Sequence, residues 1–155
     1  MTAGPTNSIS SANVLCGIRV LVIEDVWIVA QSYVALLENL GVIVSGPAGT
    51  VADAIRLIES EPIDAALVDM NLHGEMAYDV VDALMSRGVA VVVVTGYDVV
   101  PELSSKVSAF LSKPIRAEAL ISAFRGITAA AKTRDENDQS RHQSAPGLAV
   151  KQCGA

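Results

Sequence analysis

Along the middle of this chain, short apolar runs alternate with longer stretches whose apolar residues recur at helical spacing. Arg19-Val20-Leu21-Val22-Ile23 reads as a buried strand closed by the acidic pair Glu24-Asp25. From Val26 to Leu40 the residues Val29, Tyr33, Leu36, Leu37 and Leu40 keep a helical period, which Gly41 stops. A second strand is predicted from Val42 to Ser45, with a turn at Gly46-Pro47-Ala48-Gly49. Thr50 with Asp53 resembles a capping box for a helix whose inner face is Val51, Ala54, Ile55 and Ile58.

Pro62 and Asp64 lead into the apolar run Ala65-Ala66-Leu67-Val68, a central strand that ends at Asp69. Ala77, Val81, Leu84 and Met85 mark a third helix, ended by Arg87-Gly88. Val89 to Val94 is the most strand-like run, and it stops at Thr95-Gly96-Tyr97. Asp98 to Val107 contains Pro101 and little apolar repeat, so only a short helix is expected there. Ala109-Phe110-Leu111-Ser112 is the last strand, ending at Lys113-Pro114, and a final helix from about Ala117 shows Leu120, Ile121, Phe124 and Ile127 on one face.

Strands alternating with helices in this way predict an α/β fold, a five-stranded parallel sheet with helices on both faces. The flanks differ in character. Residues 1–17 are rich in Ser, Asn, Gly and Pro, and residues 132–155 are polar with no buried face, so a disordered leader and a disordered tail are expected around a domain at 18–131. No output domain is expected within residues 132–155, which are few and polar.

Composition narrows the function. Hydrophobic residues make up 51% and aromatic residues 4% of the 155 positions, which suits parallel strands covered on both faces. The mean hydropathy is +0.43, yet the apolar runs are too short to span a bilayer. Met1 to Gly17 has neither the basic start nor the apolar middle of a signal peptide, so a cytoplasmic location is expected. A net charge of -6 argues against a nucleic-acid partner, since no basic stripe offsets phosphate repulsion. Cys16 and Cys153 lie near the two termini at no metal or redox spacing, and both are expected to be free thiols.

The chemistry sits at strand ends. Glu24 and Asp25 follow the first strand, Asp69 the third, Thr95 the fourth and Lys113 the fifth, and in a parallel sheet those ends share one edge. With the strand order 2-1-3-4-5, the first and third strands are neighbours at the switch point and their carboxylates share a crevice. Clustered carboxylates repel unless a pKa rises or a cation binds, and Mg2+ is the expected occupant. A hydroxyl from Thr95 and an ammonium from Lys113 beside that cluster suit a phosphoryl group, which Asp69 is placed to accept as an acyl phosphate.

Ile23-Glu24-Asp25, Leu67-Val68-Asp69-Met70-Asn71-Leu72, Thr95-Gly96 and Phe110-Leu111-Ser112-Lys113-Pro114, in that order, resemble the receiver domain of bacterial two-component response regulators. The resemblance covers residues 19–131. It implies the flavodoxin-like receiver fold and Mg2+ held by Glu24, Asp25, Asp69 and the backbone carbonyl of Asn71. It also implies that Asp69 accepts phosphate from a histidine kinase or phosphotransfer protein. Thr95 and Lys113 would bind phosphoryl oxygens, Phe110 would be the switch aromatic, and the Lys113-Pro114 peptide would be cis. The implied function is that of a single-domain response regulator, a signalling phosphoacceptor rather than an enzyme, with slow self-dephosphorylation near Asn71 and Tyr97 and output through contact with an unidentified downstream protein.

Several departures accompany the likeness. His73 stands where many receivers have proline, Val26 replaces an acidic residue, and the connection from Thr95 to Phe110 is short. Thr95-Gly96-Tyr97 is similar to an alphaproteobacterial subgroup with a Phe-Ala-Thr-Gly-Gly or Phe-Ala-Thr-Gly-Tyr signature, although Val93 and Val94 replace its Phe-Ala. His73 itself reads as a loop histidine, because no second His or Cys supports a metal site. The rival class is a small Mg-dependent phosphohydrolase of the haloacid dehalogenase type. That family wants an acid-base Asp two residues beyond the nucleophile, where this chain has Asn71.

Overall fold

The computed structural model describes residues 15–96 and 101–139, with 131–139 described as helix backbone. Its centre is a five-stranded parallel sheet built from β1 (Arg19–Ile23), β2 (Ile43–Ala48), β3 (Ala65–Asp69), β4 (Ala90–Thr95) and β5 (Ala109–Ser112), in the order β2-β1-β3-β4-β5. This is the predicted order 2-1-3-4-5. The crossovers are α1 (Trp27–Asn39), α2 (Val51–Ser60) and α3 (Tyr78–Ser86), and α4 (Ala117–Gln139) follows the last strand.

Alternation along the strands divides the core into two layers. Leu21, Ile23, Ala66, Val68, Val91 and Val93 face α2 and α3, where Ala54, Ile58, Val80 and Leu84 meet them. Val20, Val22, Ala65, Leu67, Val92 and Val94 face the opposite way, onto Leu37 of α1 and onto Leu120 and Phe124 of α4. β3, the central strand, is buried along its whole length, which is why its apolar run shows no polar alternation. Thr50 caps α2, its hydroxyl accepting from the Asp53 N–H at 3.1 Å, as the sequence predicts.

Four expectations need correction. First, β2 continues through the predicted turn to Ala48. It is an edge strand, where a proline costs no central ladder bond, and the register shifts opposite Leu21 and Ile23 to take it in. Gly46 has a φ of +89°, a Cβ there would lie 2.9 Å from the Val22 carbonyl oxygen, and the Gly46-Pro47 peptide is cis. Second, between β4 and β5 the described residues hold only the 3-10 turn Pro101–Leu103 and no α-helix.

Third, both domain boundaries move outward. Leu15 is 1% exposed and packs in the layer with Leu37 and Leu40, while its N–H donates to the Leu40 carbonyl and that of Gly17 to Gly41. Leu15 to Gly17, expected in the leader, are therefore tied to the domain, and residues 1–14 lie outside the described residues. At the other end α4 runs eight residues past Ala131 to Gln139, so the expected tail begins as helix. With Thr133, Asp135, Asn137 and Asp138 this extension has only mixed helix propensity, and it propagates a helix already nucleated on the core. Fourth, Cys16 is disulfide-bonded rather than free, and Cys153 lies outside the described residues.

If Leu15 belongs to the core, Leu15→Ala should lower stability by ~2–5 kcal/mol. Chemical denaturation followed by circular dichroism measures this, and an unchanged midpoint would return the segment to the leader.

Candidate functional site

The parallel sheet places Glu24, Asp25, Asp69, Thr95 and Lys113 at its carboxyl edge. β1 stops at Ile23, so Glu24 and Asp25 are the first residues beyond it, while Asp69 and Thr95 end β3 and β4 and Lys113 follows β5. Pairing of Asp69 with Val94 and of Thr95 with Ser112 keeps these ends level. Glu24 is 2% exposed, and Asp69 and Thr95 are 6% exposed.

One ligand oxygen from each of Glu24, Asp25 and Asp69 lies within 4.8 Å of the others. Lys113 answers part of this charge, with Nζ donating to Glu24 Oε2 at 3.0 Å and to Asp69 Oδ2 at 2.7 Å. The Lys113-Pro114 peptide is cis, as expected. Backbone donors hold three further oxygens: Val26 N–H donates to Glu24 Oε1 at 3.1 Å, Asn71 N–H to Asp69 Oδ1 at 3.1 Å, and His73 N–H to Asp25 Oδ2 at 2.9 Å. Among the described residues no buried side-chain nitrogen or oxygen lacks a partner.

The protonation behaviour follows. Burial pushes the Glu24 carboxyl up, and neighbouring Asp69 adds to this, against the hydrogen bonds from Lys113 and Val26. For Asp25 burial also acts upward, but the His73 N–H and its other donors outweigh it and the carboxyl is lowered. Burial works against the Lys113 ammonium, yet its bonds to Asp69 and Glu24 prevail and hold its pKa up. Tyr33 on α1, which sequence reasoning places only as a core residue, is raised by burial and then by the negative charge of Glu24.

Three carboxylates against one ammonium leave two net negative charges when all are ionised, which a single divalent cation cancels. The donors are all oxygens, the preference of hard cations such as Mg2+, so the residues present fit such an ion. A cavity of about 630 Å³ opens over the cluster, lined by Asp25, Asp69, Thr95, Gly96 and Lys113 among others. Phe110 lies within β5 opposite Val93, half-buried against the α2–α3 layer, and Tyr97 lies outside the described residues.

The structure also brings in His73, read from sequence as a plain loop residue. Asn71–Leu72 and Glu75–Met76 pair as a miniature antiparallel hairpin, which the sequence reading missed. His73 and Gly74 form its turn with φ of 53° and 88°, and His73 Nδ1 sits 3.2 Å from Asp25 Oδ2. The available signal was His-Gly between residues able to pair, a two-residue hairpin turn with glycine second.

Residues 20–125 match the family model described as the response regulator receiver domain. Among solved structures, a CheY-like receiver domain from Methylobacillus flagellatus is 25% identical with a TM-score of 0.65, over 71% of this chain and 98% of that one. The response regulator PhyR from Brucella abortus is 24% identical with a TM-score of 0.70, over 80% of this chain but 53% of its own. A CheY-like receiver from Methanospirillum hungatei is 24% identical with a TM-score of 0.62, over 79% and 98% of the two chains. A search of curated proteins returns no match.

A raised Glu24 pKa means that its proton competes with a cation at a higher pH than an ordinary glutamate's would. On acidification from neutral pH, divalent-cation affinity measured by calorimetric titration should begin to fall above the usual glutamate range. Glu24→Gln should remove that early fall while weakening binding throughout.

Proposed function

We propose how this chain signals from the premise that it belongs to the response regulator receiver domain family, whose role is phosphorelay signalling as a phosphoacceptor rather than as an enzyme. The reading assigns Asp69 as the acceptor. One of its carboxylate oxygens attacks the phosphorus of a phosphohistidine on a histidine kinase or phosphotransfer protein. The nitrogen–phosphorus bond breaks, the imidazole leaves and takes up a proton, and an acyl phosphate forms on Asp69. The observation that carries this assignment is Lys113 Nζ, 2.7 Å from Asp69 Oδ2 at a carboxylate that opens on the cavity.

Glu24, Asp25 and Asp69, with the backbone carbonyl of Asn71, would hold Mg2+, which supplies positive charge opposite the incoming phosphoryl oxygens. Lys113 transfers its ammonium from the bare carboxylate to a phosphoryl oxygen, and the Thr95 hydroxyl donates to another. Phe110 then repacks as Thr95 and Lys113 shift, altering the face formed by β4, β5 and their neighbouring segments. Output is a contact with a downstream protein, and a cytoplasmic location goes with these donors. Water reaching the acyl phosphate beside Asn71 restores the resting state slowly. The family match displaces the haloacid dehalogenase alternative.

Intact-protein mass after incubation with acetyl phosphate and Mg2+ tests the acceptor. Wild type should gain one labile phosphoryl group and Asp69→Asn none, and a variant that still labels would move the acceptor elsewhere. Lys113→Ala should still bind Mg2+ but lose the coupling between labelling and rearrangement around Phe110. A phosphorylation-dependent NMR shift at Phe110 that survives in that variant would contradict the role given to the lysine.

A further inference from the structure

Lys113 bonds Glu24 and Asp69 of the carboxylate cluster, and His73 bonds the third member, Asp25. Two nitrogens of this single residue approach the same oxygen: the backbone N–H donates to Asp25 Oδ2 at 2.9 Å, and the imidazole Nδ1 lies 3.2 Å from it. The supporting loop is built for this. Asn71 pairs with Met76 and Leu72 with Glu75, and the left-handed backbone at His73 and Gly74 closes the turn. Asn71 Oδ1 accepts from the Gly74 N–H at 2.8 Å and ties the turn to the strand end. A left-handed φ at a histidine is uncommon, and here it accompanies a turn whose His73 backbone N–H and imidazole both meet Asp25, just beyond β1.

We propose that His73 is a positioning residue for the cation site, clamping Asp25 Oδ2 so that the other carboxylate oxygen is presented to a divalent cation. This rests on the reading that Glu24, Asp25 and Asp69 hold such an ion. Hydrogen-bond partners behind a ligating carboxylate set its orientation in advance, and losing one costs roughly 10–100-fold in metal affinity. His73 lines the cavity but stands outside the group of carboxylates that converge within 4.8 Å, so its effect passes through Asp25.

The test compares Mn2+ affinity, from electron paramagnetic resonance of the free ion, in wild type, His73→Gly and His73→Asn. Glycine keeps the left-handed backbone and the N–H but removes the imidazole. Asparagine keeps the backbone preference and restores a side-chain donor, in the Asn-Gly pair that such turns favour. The expected result is a roughly ten-fold weaker Kd for His73→Gly and recovery toward wild type in His73→Asn. Labelling by acetyl phosphate at saturating Mg2+ should be equal in all three.

Unchanged or tighter binding in His73→Gly, or no recovery in His73→Asn, overturns the proposal. So does a labelling defect in His73→Gly that saturating cation does not repair. Wild type that binds no Mn2+ would instead remove the cation-site reading beneath it.

Discussion

Three carboxylates within 4.8 Å of one another are a standing electrostatic load, and the carboxyl edge of this sheet is organised to bear it. Each ionised pair at that spacing repels by about 3–4 kcal/mol at an effective dielectric constant near 20. Lys113 relieves the part shared by Glu24 and Asp69, backbone N–H groups at Val26, Asn71 and His73 relieve more, and Glu24, through its burial first and the Asp69 charge second, holds its proton more tightly. The residual negative charge is what a divalent cation would cancel, and in the proposed mechanism that cation and Lys113 then offset the charge of the incoming phosphoryl group. A site neutral at rest would have no comparable use for either.

The fold makes that concentration of charge possible. Apolar packing on both faces fixes the strands, so their ends cannot drift apart to relax the repulsion. The order β2-β1-β3-β4-β5 sets β1 beside β3, so the acidic pair after one and the Asp ending the other face a shared opening. Lys113 arrives from β5, two strands away from β3, and its bonds therefore tie the far edge of the sheet to its centre. In the proposed cycle, any change in what Lys113 neutralises is felt at β5, where a partner can read it.

Much of this was legible in the sequence because each signal was local and repeated. The strand runs Val20–Ile23, Ala65–Val68 and Val91–Val94 are apolar without interruption, and each is followed directly by its chemical residue, so strand ends and site coincide. Less visible were features that depend on distant partners. Gly46-Pro47 looks like a turn in isolation, and only its place on an edge strand lets β2 continue through it. Leu15 sits in a segment of polar composition, and its burial comes from a hydrogen-bonded approach to Leu40 that no local period announces. His73 has no metal-ligand spacing because it serves a carboxylate 48 residues away in the chain.

The most direct test of the charge-balance account is a crystal structure with Mg2+ and beryllofluoride, a mimic of the phosphoryl group. The account predicts the fluoride adduct on Asp69, with Mg2+ held among Glu24, Asp25 and Asp69 at about 2.0–2.1 Å from ligating oxygens. Lys113 Nζ should have left Asp69 Oδ2 for a fluoride of the adduct. An adduct on another residue, or a Lys113 that keeps its bond to Asp69 beside a bound adduct, would contradict it.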